Sequence, residues 1–272
     1  MYQPPPTRKP ITLSTLAQMK REREKFTVLT AYDASFAALM EAAGVEVLLV
    51  GDSLGMVIQG QRATVPVTMD DMVYHTRIVA RGCQTALLMA DMPFASYATV
   101  DQAVRNAARL MQEGGAQMVK LEGGAYLAET VRQLSRNGIP VCAHLGLLPQ
   151  SVHKLGGYKV QGREETAAQQ ILDEALTLQE AGADVALVEC IPAALAARLT
   201  AALDIPLIGI GAGPDCDAQV LVCYDMLGIT PGRRPKFSKN FLQGCDSLPA
   251  ALQAYVRAVK SGEFPGPEHC VA

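Results

Sequence analysis

VEVLLVGD (45–52), ALLMADMP (86–93), MVKLEGG (118–124) and VALVECIP (185–192) share one plan. Each is a short run dominated by apolar residues, and each carries an acidic residue at or near its end. A strand exposed on one face alternates apolar and polar side chains, whereas a strand covered on both faces does not. These runs therefore read as parallel strands under helices. Four more complete the set: FTVLTAYD (26–33), PVCAHLGL (140–147), IPLIGIGAG (205–213) and AQVLVCYDMLG (218–228). Between them lie helix-like stretches at 35–44, 100–115, 127–138, 165–182 and 193–203, four of which end in glycine just before the next strand. Glycine there is helix C-cap chemistry, and its repetition marks successive strand–helix units. Eight such strands in 272 residues predict an α/β fold, a single closed (β/α)8 TIM barrel. The eighth run follows the seventh too closely for a normal helix between them, so 218–228 could instead be helical, with the last strand further on.

The barrel domain is expected over 25–272, ending in an amphipathic helix and tail, with residues 1–24 as an N-terminal extension. The segment 148–165, LPQSVHKLGGYKVQGREE, is long for a strand–helix loop and reads as a lid. Bulk composition narrows the function. Net charge is −3 and charged residues make up 19%, which gives no general attraction to nucleic acid or anionic lipid. Aromatics are 5% and Trp is absent, against a base-stacking surface. No run approaches the ~20 apolar residues of a membrane span, and the first residues lack a signal-peptide core. Seven cysteines without a Cys-x-x-Cys pair read as reduced thiols of a cytoplasmic protein.

In a barrel of this kind the chemistry sits at the C-terminal ends of the strands. Those positions hold Asp33, Asp52 with Ser53, Asp91, Lys120 with Glu122, His144 and Glu189. Any one could be bland, and Asp33 alone reads equally as a helix cap. So many at one rim point to a site. Carboxylates without accompanying thiols suit a hard divalent cation such as Mg2+. Zinc fits poorly, because His144 is the one histidine at the rim. Glu189 stands among apolar neighbours, where desolvation should raise its pKa toward neutrality and make it a proton acceptor. His75 reads as structural, His153 as a lid contact and His269 as tail. The cluster IGIGAG (208–213) lacks the G-x-G-x-x-G spacing and the first-strand position of a dinucleotide fingerprint. Its glycines instead permit close approach of a ligand or loop.

Taken in order, a set of motifs resembles the ketopantoate hydroxymethyltransferase family: TAYD (30–33), LLVGDSLGMVIQG (48–60), VPVTMDDMVYHT (65–76), MADMPFASY (89–97), MVKLEGG (118–124), VCAHLGLLPQSV (141–152), GGYKVQGR (156–163), LVEC (187–190), IPLIGIGAG (205–213) and PKFSKNF (235–241). Leu148 stands where many members have Thr, and Ala218 where Gly is usual; the acidic strand-end positions do not depart. The resemblance implies a Mg2+-dependent barrel related to the phosphoenolpyruvate/pyruvate superfamily. It implies transfer of a one-carbon unit from 5,10-methylenetetrahydrofolate to 2-oxo-3-methylbutanoate, giving ketopantoate for pantothenate and coenzyme A synthesis. Members assemble as homodecamers. On this reading Asp52 and Asp91 hold the metal, and Glu122 joins them directly or through water. Ser53, Lys120 and His144 contact the substrate, and Glu189 is the base. A lyase or mutase of the phosphoenolpyruvate/isocitrate lyase type would use similar groups, but it usually carries a K-K-C-G-H-like lid segment, which this sequence lacks. A non-catalytic barrel is the remaining alternative.

Overall fold

The computed structural model describes residues 8–232 and 234–271. Eight parallel strands close in sequence order: β1 (Phe26–Thr30), β2 (Val47–Val50), β3 (Leu87–Asp91), β4 (Met118–Glu122), β5 (Val141–Gly146), β6 (Val185–Glu189), β7 (Leu207–Ile210) and β8 (Ala218–Leu221). The barrel closes by pairing β1 with β8, Phe26 opposite Ala218. The run at 218–228 is corrected: only 218–221 is strand, and Cys223–Met226 turn into a short helix. β7 and β8 are joined without an intervening helix, which is why their spacing looked too tight.

The near-continuous apolar runs now divide by parity. Val28, Val47, Leu49, Leu87, Met89, Met118, Cys142, Val185 and Leu187 fill the barrel interior as one cluster. Their neighbours, such as Leu48, Leu88, Val119, Ala143 and Val188, join the outer cluster beneath the helices. Continuing the inward parity upward from Met89, Met118, Cys142 and Leu187 reaches Asp91, Lys120, His144 and Glu189. Polar groups at the mouth therefore stand in the same columns as the packed core below them.

The opposite end is shut by a helix that the sequence pattern did not show, Leu13–Arg21. Thr12 caps it through a reciprocal capping box with Thr15. Leu16 and Met19 on its buried side join the interior cluster with Phe26 and Val28. A second helix missing from the sequence reading, Met69–Gly82, links β2 to β3; its Tyr-His-Thr centre dilutes the apolar periodicity. The seam between β1 and β8 is covered by the helix Leu248–Lys260. The buried hydroxyl of Tyr255 there donates to the Gln219 carbonyl at 2.8 Å, with the Val28 carbonyl 3.0 Å away. Two glycines of the IGIGAG cluster serve the loop approach anticipated for them. Gly211 (φ +59°) makes room for Phe237, and Gly213 (φ +83°) for Ala193. Among the described residues, no helix is long and apolar enough to cross a membrane, and all seven cysteines are free.

Candidate active site

Asp52 leaves the end of β2, Asp91 ends β3, Lys120 and Glu122 lie on β4, His144 on β5 and Glu189 at the end of β6. Strand register brings them together: Asp91 pairs with Lys120 and Glu122 with His144. All except Glu189 are almost wholly buried, and the Glu189 side chain retains 14% exposure. Lys120 Nζ lies 3.1 Å from Asp91 Oδ1, 3.9 Å from Glu122 Oε1 and 3.1 Å from His144 Nδ1. His144 Nε2 faces Glu189 Oε2 at 3.3 Å. Six of the groups named from the strand ends thus form one chain across the mouth, wholly buried except at Glu189.

Charge in this chain is out of balance. Burial, and then the charge of Lys120, hold the His144 pKa well below its ordinary value, so the imidazole is neutral. The Lys120 ammonium donates to Nδ1, which assigns the ring proton to Nε2, on the side of Glu189. Burial disfavours the Lys120 charge, but Asp91, Glu122 and Asp52 reverse this and raise its pKa. One ammonium then faces four carboxylates. Burial, together with the neighbouring charge of Asp91, lifts Asp52 to about 7. Asp91 and Glu122 are also raised, foremost by burial. Glu189 is pushed up to about 8 by burial, with Asp52 and Asp91 adding to it. Such a cluster is stabilised by further positive charge.

A hard cation fits this donor set. Asp91 Oδ1 is buried and lacks a hydrogen-bond partner, its contact with Lys120 being ionic. Asp91 Oδ2 accepts from the Asp52 amide at 3.0 Å, which fixes the carboxylate beside Asp52. Asp52 uses Oδ2 toward Gln150 at 2.9 Å. Among the described residues no three His, Cys, Asp or Glu side chains converge on one metal position. One or two carboxylates with remaining positions left to water and substrate oxygens is the usual Mg2+ arrangement.

Asp33 and His75 resolve as structural. Asp33 caps the helix Ala34–Ala42, accepting from Ser35 N and Phe36 N. His75 Nδ1 contacts the Tyr32 carbonyl at 2.8 Å, a structural role. His153 sits in the turn Val152–Leu155. Ser53 Oγ lies 2.8 Å from the buried Tyr32 hydroxyl. Three side chains at the mouth escaped the sequence reading: Gln150, Tyr97 and Tyr158. Gln150 bridges Asp52 and the Met92 carbonyl through Nε2, and its amide donates to Glu122 Oε2 at 3.0 Å. Tyr97 donates to Gln150 Oε1 at 2.6 Å. Tyr158, on the long 148–165 segment, donates to Met56 Sδ at 3.7 Å, spanning from the β5 side to the β2 side of the rim.

The backbone at β6 is held with similar care. Gly146 (φ +86°) ends β5, and a Cβ there would collide with the Glu189 carbonyl oxygen. Only glycine allows these strand ends to approach so closely. Cys190, directly after Glu189, adopts φ +48°, a conformation uncommon for a non-glycine residue and frequent at functional sites.

Comparison with known proteins bears on this arrangement. The family model described as ketopantoate hydroxymethyltransferase matches residues 10–267. The 3-methyl-2-oxobutanoate hydroxymethyltransferase of Nitrosococcus oceani is 67% identical over 255 residues, covering 94% of this chain and 97% of that protein. Among solved structures, phosphonopyruvate hydrolase in complex with oxalate and Mg2+ aligns with a TM-score of 0.61 at 14% identity, covering 92% of this chain and 98% of the other. 2,3-Dimethylmalate lyase, a PEP mutase/isocitrate lyase superfamily member, aligns with a TM-score of 0.56 at 17% identity, covering 79% and 82%. At these identities the two structures speak to the fold alone, a closed (β/α)8 barrel.

Proposed function

The chain belongs to the ketopantoate hydroxymethyltransferase family and is an enzyme that transfers a hydroxymethyl group to a keto acid, and from that premise we propose how its own residues carry out the transfer. The acceptor is 2-oxo-3-methylbutanoate, the donor 5,10-methylenetetrahydrofolate and the resident metal Mg2+. The observation that carries this reading is the buried chain Asp91–Lys120–His144–Glu189, in which a carboxylate of raised pKa faces a neutral imidazole.

Asp52 and Asp91 would hold the metal, with Glu122 joining them directly or through a water. When bound, Mg2+ supplies Lewis acidity to the keto and carboxylate oxygens of the substrate. Lys120 places a fixed ammonium where negative charge grows on the keto oxygen, and in a water-poor mouth such an interaction is strong. Ser53 and His144 orient the substrate from either side. Glu189 removes the proton from C3, and its pKa near the working pH suits that step. His144 Nε2 lies 3.3 Å from Glu189 Oε2 without hydrogen-bond geometry, so it borders the carboxylate and leaves it free to take the proton. Water hydrolyses the methylene bridge of the folate, breaking both of its C–N bonds to release tetrahydrofolate and formaldehyde at the mouth. The enolate carbon then bonds to the formaldehyde carbon, whose oxygen takes up a proton and becomes the hydroxyl of the product. The 148–165 segment, reaching across the rim through Tyr158, limits access of bulk water.

The direct test is turnover: the purified protein with Mg2+, 2-oxo-3-methylbutanoate and 5,10-methylenetetrahydrofolate should form ketopantoate. Product formation with free formaldehyde but none with the folate would reject the donor. The family resemblance also supports a cytoplasmic homodecamer serving pantothenate synthesis. Light scattering should give ten times the chain mass, and a monomer would refute the assembly.

A further inference from the structure

We propose that Gln150 is a positioning residue, locked by Tyr97, that sets which oxygens of Asp52 and Glu122 are free to meet the metal. The inference rests on the assignment of those carboxylates under the proposed function and concerns a residue outside it.

Gln150 follows β5 in the turn Pro149–Ser151 and is buried. All of its polar atoms except the backbone carbonyl have named partners. Nε2 donates one hydrogen to Asp52 Oδ2 and the other to the Met92 carbonyl, both at 2.9 Å. The backbone amide donates to Glu122 Oε2. Oε1 accepts from the Tyr97 hydroxyl at 2.6 Å, while that hydroxyl accepts from the Glu122 amide at 3.3 Å.

These partners permit one orientation of the side-chain amide. Flipping it would set Oε1 against a carboxylate and a carbonyl, both of which can only accept. The Tyr97 hydroxyl, whose oxygen lies 2.6 Å from Oε1, would meet the amide donor there and have to turn its proton to the Glu122 carbonyl at 3.2 Å. The clamp therefore has a fixed polarity. One oxygen of Asp52 and one of Glu122 are consumed on the Gln150 side. Asp52 Oδ1 is not taken by Gln150, and Glu122 Oε1 is left to meet Lys120 and His144. Hydrogen bonds of this kind to ligating carboxylates orient them and tune affinity, and their loss typically costs about 10–100-fold in metal binding. The chemistry also dictates the residue type. Glutamate would fit the volume but offer acceptors to acceptors, and methionine would fill the space with no donor at all.

The test is Mg2+ affinity, measured by calorimetry on the metal-free protein and independent of turnover. Gln150→Met should weaken Mg2+ binding about 10-fold or more. Tyr97→Phe removes only the hydroxyl that fixes the amide and should shift affinity a few-fold in the same direction. Because it leaves the buried Gln150 in place, it serves as the test should the Gln150 variant fail to fold. Asp52→Asn is measured alongside. If Asp52→Asn binds Mg2+ as the wild type does, the metal assignment itself is wrong. If Asp52→Asn loses binding while folded Gln150→Met and Tyr97→Phe stay within two-fold of wild type, only the clamp is overturned.

Discussion

Replacing Asp52 by Asn should make the metal-free protein more stable at alkaline pH while destroying its response to Mg2+. Asp52 is 4% exposed and its pKa is raised from 3.8 to about 7, first by burial and then by Asp91. A three-unit shift corresponds to about 4 kcal/mol at 1.36 kcal/mol per unit. Asp91 shares the same repulsion, so this cost is not counted again for it. The sign follows from linkage. Below pH ~4 folded and unfolded chains are both protonated at this site and the penalty is absent. Between pH ~4 and ~7 the unfolded chain releases its proton while the folded chain keeps it, so stability falls as pH rises. Above pH ~7 the full penalty applies. Asn removes the charge and can still accept from Gln150 through its amide oxygen. At about 2 °C per kcal/mol for a domain of this size, the variant should melt several degrees and up to about 8 °C higher than wild type in EDTA at pH 8, with no difference at pH 4. Mg2+ at 100 times its Kd should add about 2.7 kcal/mol to the wild type, about 5 °C, and nothing to the variant. Thermal scans at several pH values, with EDTA or with Mg2+, read both effects. A variant that melts lower than wild type in EDTA at pH 8, or a Tm that Mg2+ raises equally in both proteins, would refute this charge accounting.

Two further substitutions separate architecture from chemistry. Leu16→Ala removes a fully buried side chain from the helix that plugs the barrel floor and should cost about 2–5 kcal/mol in denaturant unfolding, with kcat retained in the folded fraction. Asp33→Ala removes a double-acceptor N-cap and should cost about 0.5–2 kcal/mol; a loss of kcat beyond ten-fold would mean that Asp33 does more than cap its helix.

The barrel was legible in the sequence because its strands are covered on both faces, so each announces itself as a near-continuous apolar run. The mouth was legible for the related reason that a charge at the end of such a run has nowhere else to go. Asp52, Asp91, Lys120, Glu122, His144 and Glu189 all declared themselves in this way. Gln150 and Tyr97 did not. Both are uncharged and lie in loops, and their value comes from partners 25 to 98 positions distant in the chain. The helix Leu13–Arg21 was hidden because its buried side needs only Leu16 and Met19, with Ile11 just before its cap, to close the floor, too few for a periodic signal. The eighth strand was overread because the apolar run continues past Leu221 into a short helix that is itself buried at Cys223 and Met226. Burial rather than strand geometry sets the length of such a run.

The central claim, that Glu189 takes the C3 proton, is tested most directly by hydrogen exchange. Wild-type protein with Mg2+ and 2-oxo-3-methylbutanoate in deuterium oxide, with no folate present, should replace the C3 proton with deuterium, followed by NMR. Glu189→Gln preserves shape and removes the base, and should slow exchange by about 10²–10⁴-fold with Mg2+ affinity kept. Exchange at the wild-type rate in that variant would contradict the assignment of Glu189 as the base.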